Sequence, residues 1–321
     1  MKLNSGIDLS ARSRGAIKLL FIIVALSFFL YQAADQPTRK LDHAWLLYVI
    51  VGLLVNQLGN HVVTYRMQII LGAFEIKLTH LKALKVHLQS LFYFLVIPSP
   101  VAVDLARAQK VRSAATSSTL STIGLAVVTD RVIGLIGSIV IVILFAPAVW
   151  PSLNFELINI KSSIFIIMAI AVLGTAILYK VIGNQALKEQ LLQFRGFCAR
   201  HRLVFFKAIL LSIIINILVG LSVCAFALAM GLTFSPLIII TGLAAALFGM
   251  LVPISVAGIG ASEAFASGIF VLFDIDILDA AIIAFLAYGA RVAGGVLGAF
   301  WEISDGLNQV MTRPRKESRR G

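Results

Sequence analysis

Six long apolar runs are spaced along this chain, and each is long enough to cross a membrane as a helix. A hydrocarbon core of about 30 Å requires about 20 apolar residues in helical conformation. Two of the runs carry Asn56 and Asn216 within them, and such polar groups avoid lipid by facing the interior of a helical bundle. The pattern predicts an all-α integral membrane protein. Its predicted spans are 16–34, 44–63, 117–149, 161–182, 208–231 and 280–300.

Two other apolar segments are interrupted by proline or glycine. The first, 88–97, stops at Pro98-Ser99-Pro100 and has basic residues on both sides; as a helix it covers only about 15 Å. The second, 236–273, is broken by PISVAGIGASE at 253–263. Irregular backbone occurs at membrane depth only when it is buried in protein or lines a wet cavity. We therefore predict two re-entrant helical hairpins whose polar tips lie at or near a substrate site.

The distribution of charge predicts the orientation of the spans. The chain has 27 Lys and Arg against 15 Asp and Glu, a formal net charge of +12. Its basic residues concentrate in 77–112, 183–207 and the tail 313–321. The positive-inside rule assigns these segments to the cytoplasm, and an external second hairpin is needed to return the tail there. Both termini are then cytoplasmic, in a bacterial-type cytoplasmic (inner) membrane.

The stretch that follows the second span is basic, with hydrophobic residues between the charges. It begins at Arg66 and continues through Lys77, Lys82 and Lys85. This pattern is typical of a helix that lies at the membrane interface or in the cytoplasm. The sequence therefore predicts that the second span ends before Arg66.

Composition excludes several classes of protein. With 60% hydrophobic residues and a mean hydropathy of +0.98, an ordinary soluble domain is excluded, and no nucleic-acid-binding motif accounts for the basic charge. Cys198 lies in a basic loop and Cys224 in an apolar run, so no disulfide is expected. No spacing of Cys and His predicts a metal site, and no cofactor is expected.

The N-terminus allows two interpretations. Four basic residues precede the first apolar run, which is typical of an uncleaved first helix and also of a cleaved signal peptide. Ala33-Ala34 offers a weak cleavage cue. We favour the uncleaved helix because the orientation of the remaining spans requires it.

The two halves of the chain, about 1–150 and 160–312, correspond at a nearly constant offset in numbering. Asn56 matches Asn216 and Arg131 matches Arg291 at the same offset, and Asp104 matches Glu263 with a slip of one position. Each half has two spans, a hairpin and a third span, so the second copy is upside down. Inverted repeats with broken helices are the architecture of many secondary transporters.

Motifs in both hairpins resemble those of a known family. The first hairpin has a proline, small residues and Asp-x-x-Arg at 98–107, followed by Asp130-Arg131; the second has Pro-x-x-x-x-Gly-x-Gly-x-x-Glu at 253–263. This signature is similar to the transmembrane region of lysylphosphatidylglycerol synthases, and the resemblance covers essentially the whole chain. It implies a flippase-like domain that moves lipids between leaflets, in stand-alone members linked to glycolipid, hopanoid and cell-envelope pathways.

Two departures from that family change the expectations. Ala102 and Val103 stand where the family usually has a glycine just before the aspartate, which weakens the case for close backbone contact with a ligand there. The sequence ends in a basic tail with no soluble aminoacyl-transferase domain. Lysyl transfer to lipid is therefore not expected, and the chain is predicted not to be an enzyme.

The sequence places Arg131 and Arg291 well inside spans. A charge at that depth costs roughly 2.5–3.5 kcal/mol, so each needs an acidic partner or a wet cavity. The two arginines either hold a lipid phosphate or pair permanently with carboxylates and fix the hairpins. Candidate substrate-binding residues are Arg107, Arg131, Arg291, Asn56, Asn216, Gly258, Gly260 and Ser262; candidate charge-compensating or proton-coupling residues are Asp104, Asp130 and Glu263.

The glycines of the second hairpin also allow two interpretations. Gly258 and Gly260 either let backbone N–H groups at a helix N-terminus bind a phosphate or permit tight packing of the hairpin. Burial raises the pKa of a carboxyl group, so Glu263 or Asp130 is a candidate carrier of a coupling proton. His61 is interpreted as a hydrogen-bonding core residue.

The predicted function is translocation of an anionic phospholipid or a polyprenyl-phosphate-linked glycolipid. The alternative is a non-catalytic membrane subunit that presents lipid to a glycosyltransferase, or anchors one, in cell-envelope synthesis. The partners expected are a membrane lipid or lipid-linked sugar and, in the second case, that transferase; nucleic acid is not expected.

Overall fold

The computed structural model of the chain describes residues 44–96, 100–115, 119–153, 185–247 and 261–312. Within these ranges the chain is helical, with no strand. The helices are α1 (Trp45–Ala73), α2 (His80–Val96), α3 (Pro100–Ala114), α4 (Leu120–Val149), α5 (Gln185–Arg200), α6 (Arg202–Ala229), α7 (Pro236–Ala246), α8 (Ala261–Leu272) and α9 (Ile277–Thr312), with a 3-10 turn at Trp150–Ser152.

Four described helices are long and apolar enough to cross a membrane. They are Trp45–Ala73, Leu120–Ser152, Arg202–Ala229 and Ile277–Asp305. The prediction of an all-helical membrane protein is confirmed by these helices, each of which contains most or all of one predicted span. The predicted spans 16–34 and 161–182 lie outside the described residues, as do 97–99 and 248–260 at the tips of the two predicted hairpins.

The first of these helices is longer than predicted. The sequence predicts a span over 44–63 with Arg66 in a separate interfacial segment, whereas α1 continues to Ala73 and buries Arg66. The prediction was wrong because it took the first basic residue, Arg66, as the sign that the span had already ended. The buried face continues through Asn60 and Thr64 to Met67 at helical spacing, so the helix persists past the charge.

Four shorter helices form two packed pairs, α2 with α3 and α7 with α8. They have 17, 15, 11 and 12 residues, or about 17 to 26 Å at 1.5 Å per residue. None alone matches a hydrocarbon core of about 30 Å. The structure therefore shows two packed pairs of short helices in the two regions where the sequence predicts hairpins.

The junctions before the two pairs are built alike. After α1, Glu75 adopts φ 64°, and after α6, Gly231 adopts φ 73°. At both, the backbone N–H of the next residue bonds back five positions: Ile76 to Leu71 at 2.9 Å and Leu232 to Ala227 at 2.9 Å. These are Schellman caps. They stand at equivalent places in the two halves of the chain.

The packing of the helices repeats in the same way. The helices of the two halves can be placed in correspondence: α1 with α6, α2 with α7, α3 with α8 and α4 with α9. Under this correspondence, the contact of α2 with α9 is matched by the contact of α7 with α4. The contact of α3 with α4 is matched by that of α8 with α9, and α1 packs against its own counterpart, α6.

Helices α2 and α9 approach so closely at Gly298 that a Cβ there would overlap the carbonyl oxygen of Leu88. We expect Gly298→Ala to lower the free energy of unfolding by about 1–3 kcal/mol, since overpacking forces the backbone to shift. Gly289 on the same helix has open space around its Cβ position. Gly289→Ala is therefore the matched control, expected to raise stability by about 0.5–1 kcal/mol. Thermal unfolding in detergent measures both, and equal effects would contradict the packing.

Candidate functional site

A buried carboxylate, Asp130 on α4, lies between two arginines from other helices. Arg66 of α1 donates from Nε to Oδ1 at 2.8 Å and from Nη2 to Oδ2 at 3.0 Å. Arg107 of α3 donates from Nη1 to Oδ2 at 3.3 Å. All three side chains are buried. A two-point guanidinium–carboxylate pair is among the stronger protein hydrogen bonds, and here it joins α1 to α4. The Arg107 hydrogen bond attaches α3 to the same carboxylate.

All three nitrogens of the Arg66 guanidinium group are engaged. Its Nη1 donates to Ser212 Oγ on α6 at 2.8 Å, and that hydroxyl donates in turn to the carbonyl oxygen of Ala208 at 2.8 Å. Helices α4 and α6 are in close contact at this point: a Cβ on Gly137 would overlap the Ser212 side chain. Arg66 therefore acts as a structural cation that ties α1, α4 and α6 together.

Arg107 is oriented from its other side by a chain of polar groups. Its Nη2 lies 3.3 Å from His87 Nδ1, and His87 Nε2 lies 3.2 Å from Asn60 Oδ1. A guanidinium group only donates hydrogen bonds, so His87 Nδ1 must be the acceptor. The ring proton is then on His87 Nε2, which donates a hydrogen bond to Asn60 Oδ1. Asn60 Nδ2 then donates to Gln57 Oε1 at 3.2 Å and to Asn56 Oδ1 at 3.5 Å. His87 is thereby neutral.

Arg131, the next residue along α4, belongs to a more open pair. Its Nε donates to Asp104 Oδ1 at 2.8 Å, and the two side chains are 41% and 29% exposed. Successive residues of a helix point about 100° apart, which explains why Asp130 is buried while Arg131 is not. No described residue forms a hydrogen bond with either Nη group of Arg131.

A second set of ion pairs fixes α2 and α3 to α9. Lys85 on α2 pairs with Asp305 at 2.5 Å, and Lys110 on α3 pairs with Glu302 at 2.6 Å. Tyr93 also donates to Glu302, at 2.9 Å. These partly exposed contacts hold both α2 and α3 against α9.

The structure brings some predicted site residues together and separates others. Asp104, Arg107, Asp130 and Arg131 lie in one cluster at the junction of α3 and α4. Asp130 is paired with Arg66 and Arg107, neither of which the sequence singled out as its partner. The pairing of Arg131 with Asp104 is observed.

The other candidates lie outside this cluster. The interpretation of His61 as a core residue was wrong, because its side chain is exposed and lies 3.0 Å from His80. Asn216 on α6 accepts from Ser138 at 3.3 Å and donates to the Ser212 carbonyl oxygen at 2.9 Å. Arg291 on α9 is partly buried and interacts with neighbouring groups. Gly258 and Gly260 lie outside the described residues, and the side chains of Ser262 and Glu263, in the first turn of α8, do so too.

Sequence reasoning did not place two buried members of the cluster, Arg66 and His87. The charge pattern puts the first in an interfacial segment, although the buried positions of α1 recur at helical spacing through it. For His87 the sequence offers no comparable signal, since only the tertiary fold brings it beside Arg107. Within the described residues no group of three or more His, Cys, Asp or Glu side chains forms a metal site.

Comparison with known proteins gives one match. Residues 15–298 match the family model described as the lysylphosphatidylglycerol synthase TM region. No curated protein and no solved structure was found to match the chain.

Proposed function

Because this chain belongs to the lysylphosphatidylglycerol synthase transmembrane-region family, a family concerned with membrane lipids, we propose that it translocates a lipid between leaflets. The substrate class is an anionic phospholipid or a polyprenyl-phosphate-linked glycolipid. Its headgroup binds at the cluster of α3 and α4, while its hydrocarbon tails stay in the bilayer.

The observation that carries this proposal is the surplus positive charge at the cluster. Three arginines, Arg66, Arg107 and Arg131, face two aspartates, Asp104 and Asp130, and His87 is neutral. The net charge of these described side chains is therefore +1. The other four charged groups all lie within electrostatic range of Arg107. A charge surplus at membrane depth requires a counter-ion or water, and a lipid phosphate supplies that counter-ion.

Two sets of donors, which make no hydrogen bond to a described residue, are proposed to bind the phosphate. Arg131 uses only Nε for Asp104, and its Nη groups make no hydrogen bond to a described residue. Arg107 Nε is buried and also lacks a hydrogen-bond partner among the described residues. Arg131 lies about three turns into α4, about 16 Å along a helix of about 45 Å. Its distance along α4 supports a site within the membrane.

The repeated packing supports a mechanism of alternating access. We infer six spans and two opposed re-entrant hairpins, with both termini in the cytoplasm of a bacterial-type inner membrane. The matched Schellman caps and helix contacts of the two halves favour an inverted repeat. Rocking of one half against the other then exposes the Arg131–Asp104 pair first to one leaflet and then to the other.

The geometry changes the assignment of a coupling proton. Protonating Asp130 removes the partner of two buried guanidinium groups, Arg66 and Arg107, which is costly at low dielectric. Asp130 is therefore a structural carboxylate in this proposal. Glu263 stays the candidate proton carrier, and Glu263→Gln is expected to abolish any dependence of transport on a pH gradient.

Leaflet exchange in proteoliposomes tests the function. Acyl-chain-labelled phosphatidylglycerol is expected to exchange faster than in protein-free vesicles and faster than labelled phosphatidylcholine, because only the first carries net negative charge for Arg131. A labelled polyprenyl-phosphate sugar forms a parallel arm. If none of these lipids exchanges faster than in empty vesicles, translocation is rejected in favour of a subunit that presents lipid to, or anchors, a glycosyltransferase.

A further inference from the structure

A groove separate from the arginine cluster lies where α1 and α5 end and α6 begins. It is an open groove with a volume of about 470 Å³. Apolar residues that include Phe74, Leu125 and Leu192 line it, together with Arg200 and His201. No acidic residue is among the described residues that line it.

Two stacked aromatic rings, Phe74 and Phe197, form one wall of the groove. Phe197 is buried and stacks on Phe74, with ring centroids 5.1 Å apart and planes 5° apart. The centroid of the His201 ring lies 5.4 Å from that of Phe197. Phe197 also belongs to a buried cluster with Ile70 and Ala208, so α1 and α6 hold α5 in place.

The exposed rim has the character of a membrane-surface site. Leu192, Gly196 and Arg200 recur at every fourth position on α5 and all are exposed. This gives the helix one apolar and basic stripe along the groove. Amphipathic basic helices bind at the membrane interface, and basic pockets between membrane helices bind anionic headgroups.

We infer that this groove binds an anionic phospholipid, with an acyl chain on the Phe74–Phe197 wall and the phosphate at Arg200. Charge complementarity selects this occupant, because the charged lining is basic. The site is independent of the transported lipid: it holds a resident lipid that fastens α5 to the ends of α1 and α6.

Photo-crosslinking of the full chain tests the site. The protein is placed in phosphatidylcholine nanodiscs containing a low mole fraction of diazirine-labelled phosphatidylglycerol or, in a parallel sample, diazirine-labelled phosphatidylcholine. Labelled positions between 185 and 207 are mapped by mass spectrometry. We expect several-fold more label on this segment from phosphatidylglycerol. Arg200→Gln should reduce that preference about fivefold, the value for one basic residue near an anionic surface.

A groove-filling variant makes the test specific. A Cβ at Gly196 meets no atom within 4 Å, so Gly196→Leu starts from open space, places an isobutyl group in the groove and improves helix propensity. It should remove the label from 185–207. Gly268→Leu on α8 is the matched control, because its Cβ position is equally open, and it should leave the label unchanged.

Three results would overturn the inference: equal labelling by the two lipids, labelling that survives Gly196→Leu, or no labelling of this segment by either lipid. The last would leave a protein segment as the occupant. None of these results bears on leaflet exchange at Arg131, so this inference and the proposed function fail separately.

Discussion

Asp130→Asn is expected to lower the free energy of unfolding by about 3–5 kcal/mol, the cost of removing one partner from a buried ion pair. The neutral amide leaves Arg66 and Arg107 buried with no countercharge. It also replaces an acceptor oxygen by a donor that faces a guanidinium group. Thermal unfolding in detergent, followed by size-exclusion chromatography, measures the loss.

Asp104→Asn is the matched control for that substitution. Asp104 is the same residue type, pairs with one arginine and is 29% exposed. Exposed pairs contribute about 0–1 kcal/mol, so this variant should unfold close to the wild-type temperature. If the two variants lost similar amounts of stability, Asp130 and Asp104 could not be divided into a structural carboxylate and a member of an open pair.

Arg131→Gln is expected to slow leaflet exchange of phosphatidylglycerol about ten- to a hundredfold while leaving stability almost unchanged. A hydrogen bond to a charged group contributes about 1.5–3 kcal/mol, which corresponds to that range of rates. Because the Arg131–Asp104 pair is partly exposed, its loss costs the fold little. The proteoliposome exchange assay measures the rate, and thermal unfolding of the same preparation measures stability.

Arg112→Gln controls for the loss of one positive charge. Arg112 lies near the end of α3 and is exposed, so its removal changes the net charge equally without touching the cluster. We expect its exchange rate to match that of the wild type. An equal slowing by both variants would attribute the effect to general electrostatic attraction, and no slowing by Arg131→Gln would remove the proposed headgroup site.

The helices were largely predictable because their signal is local. Long apolar runs have few alternatives to spanning helices in a membrane protein, and four such runs form α1, α4, α6 and α9. The end of α1 was missed because a charged residue normally marks the end of membrane burial. Arg66 stays inside because Asp130, on a different helix, neutralises it, and no local pattern contains that partner.

The candidate site was predictable in its residue types and not in its pairings. The motifs identify Asp104, Arg107, Asp130 and Arg131, and the structure brings all four together. Asp104 and Arg107 share a motif yet bond to different partners, Arg131 and Asp130. Which guanidinium group meets which carboxylate depends on the rotation and depth of packed helices. The packing therefore decides that Asp130 forms the buried structural pairs and that Arg131–Asp104 is the pair available to a ligand.

Cysteine labelling at position 131 tests most directly whether the Arg131–Asp104 pair lines a cavity open to each leaflet in turn. Arg131→Cys is placed in a chain whose native thiols, Cys198 and Cys224, are replaced by serine and alanine. A membrane-impermeant maleimide is then added to one side of oriented vesicles or to the other. We expect modification from both sides. Modification from one side only, or from neither, would contradict alternating access at this pair.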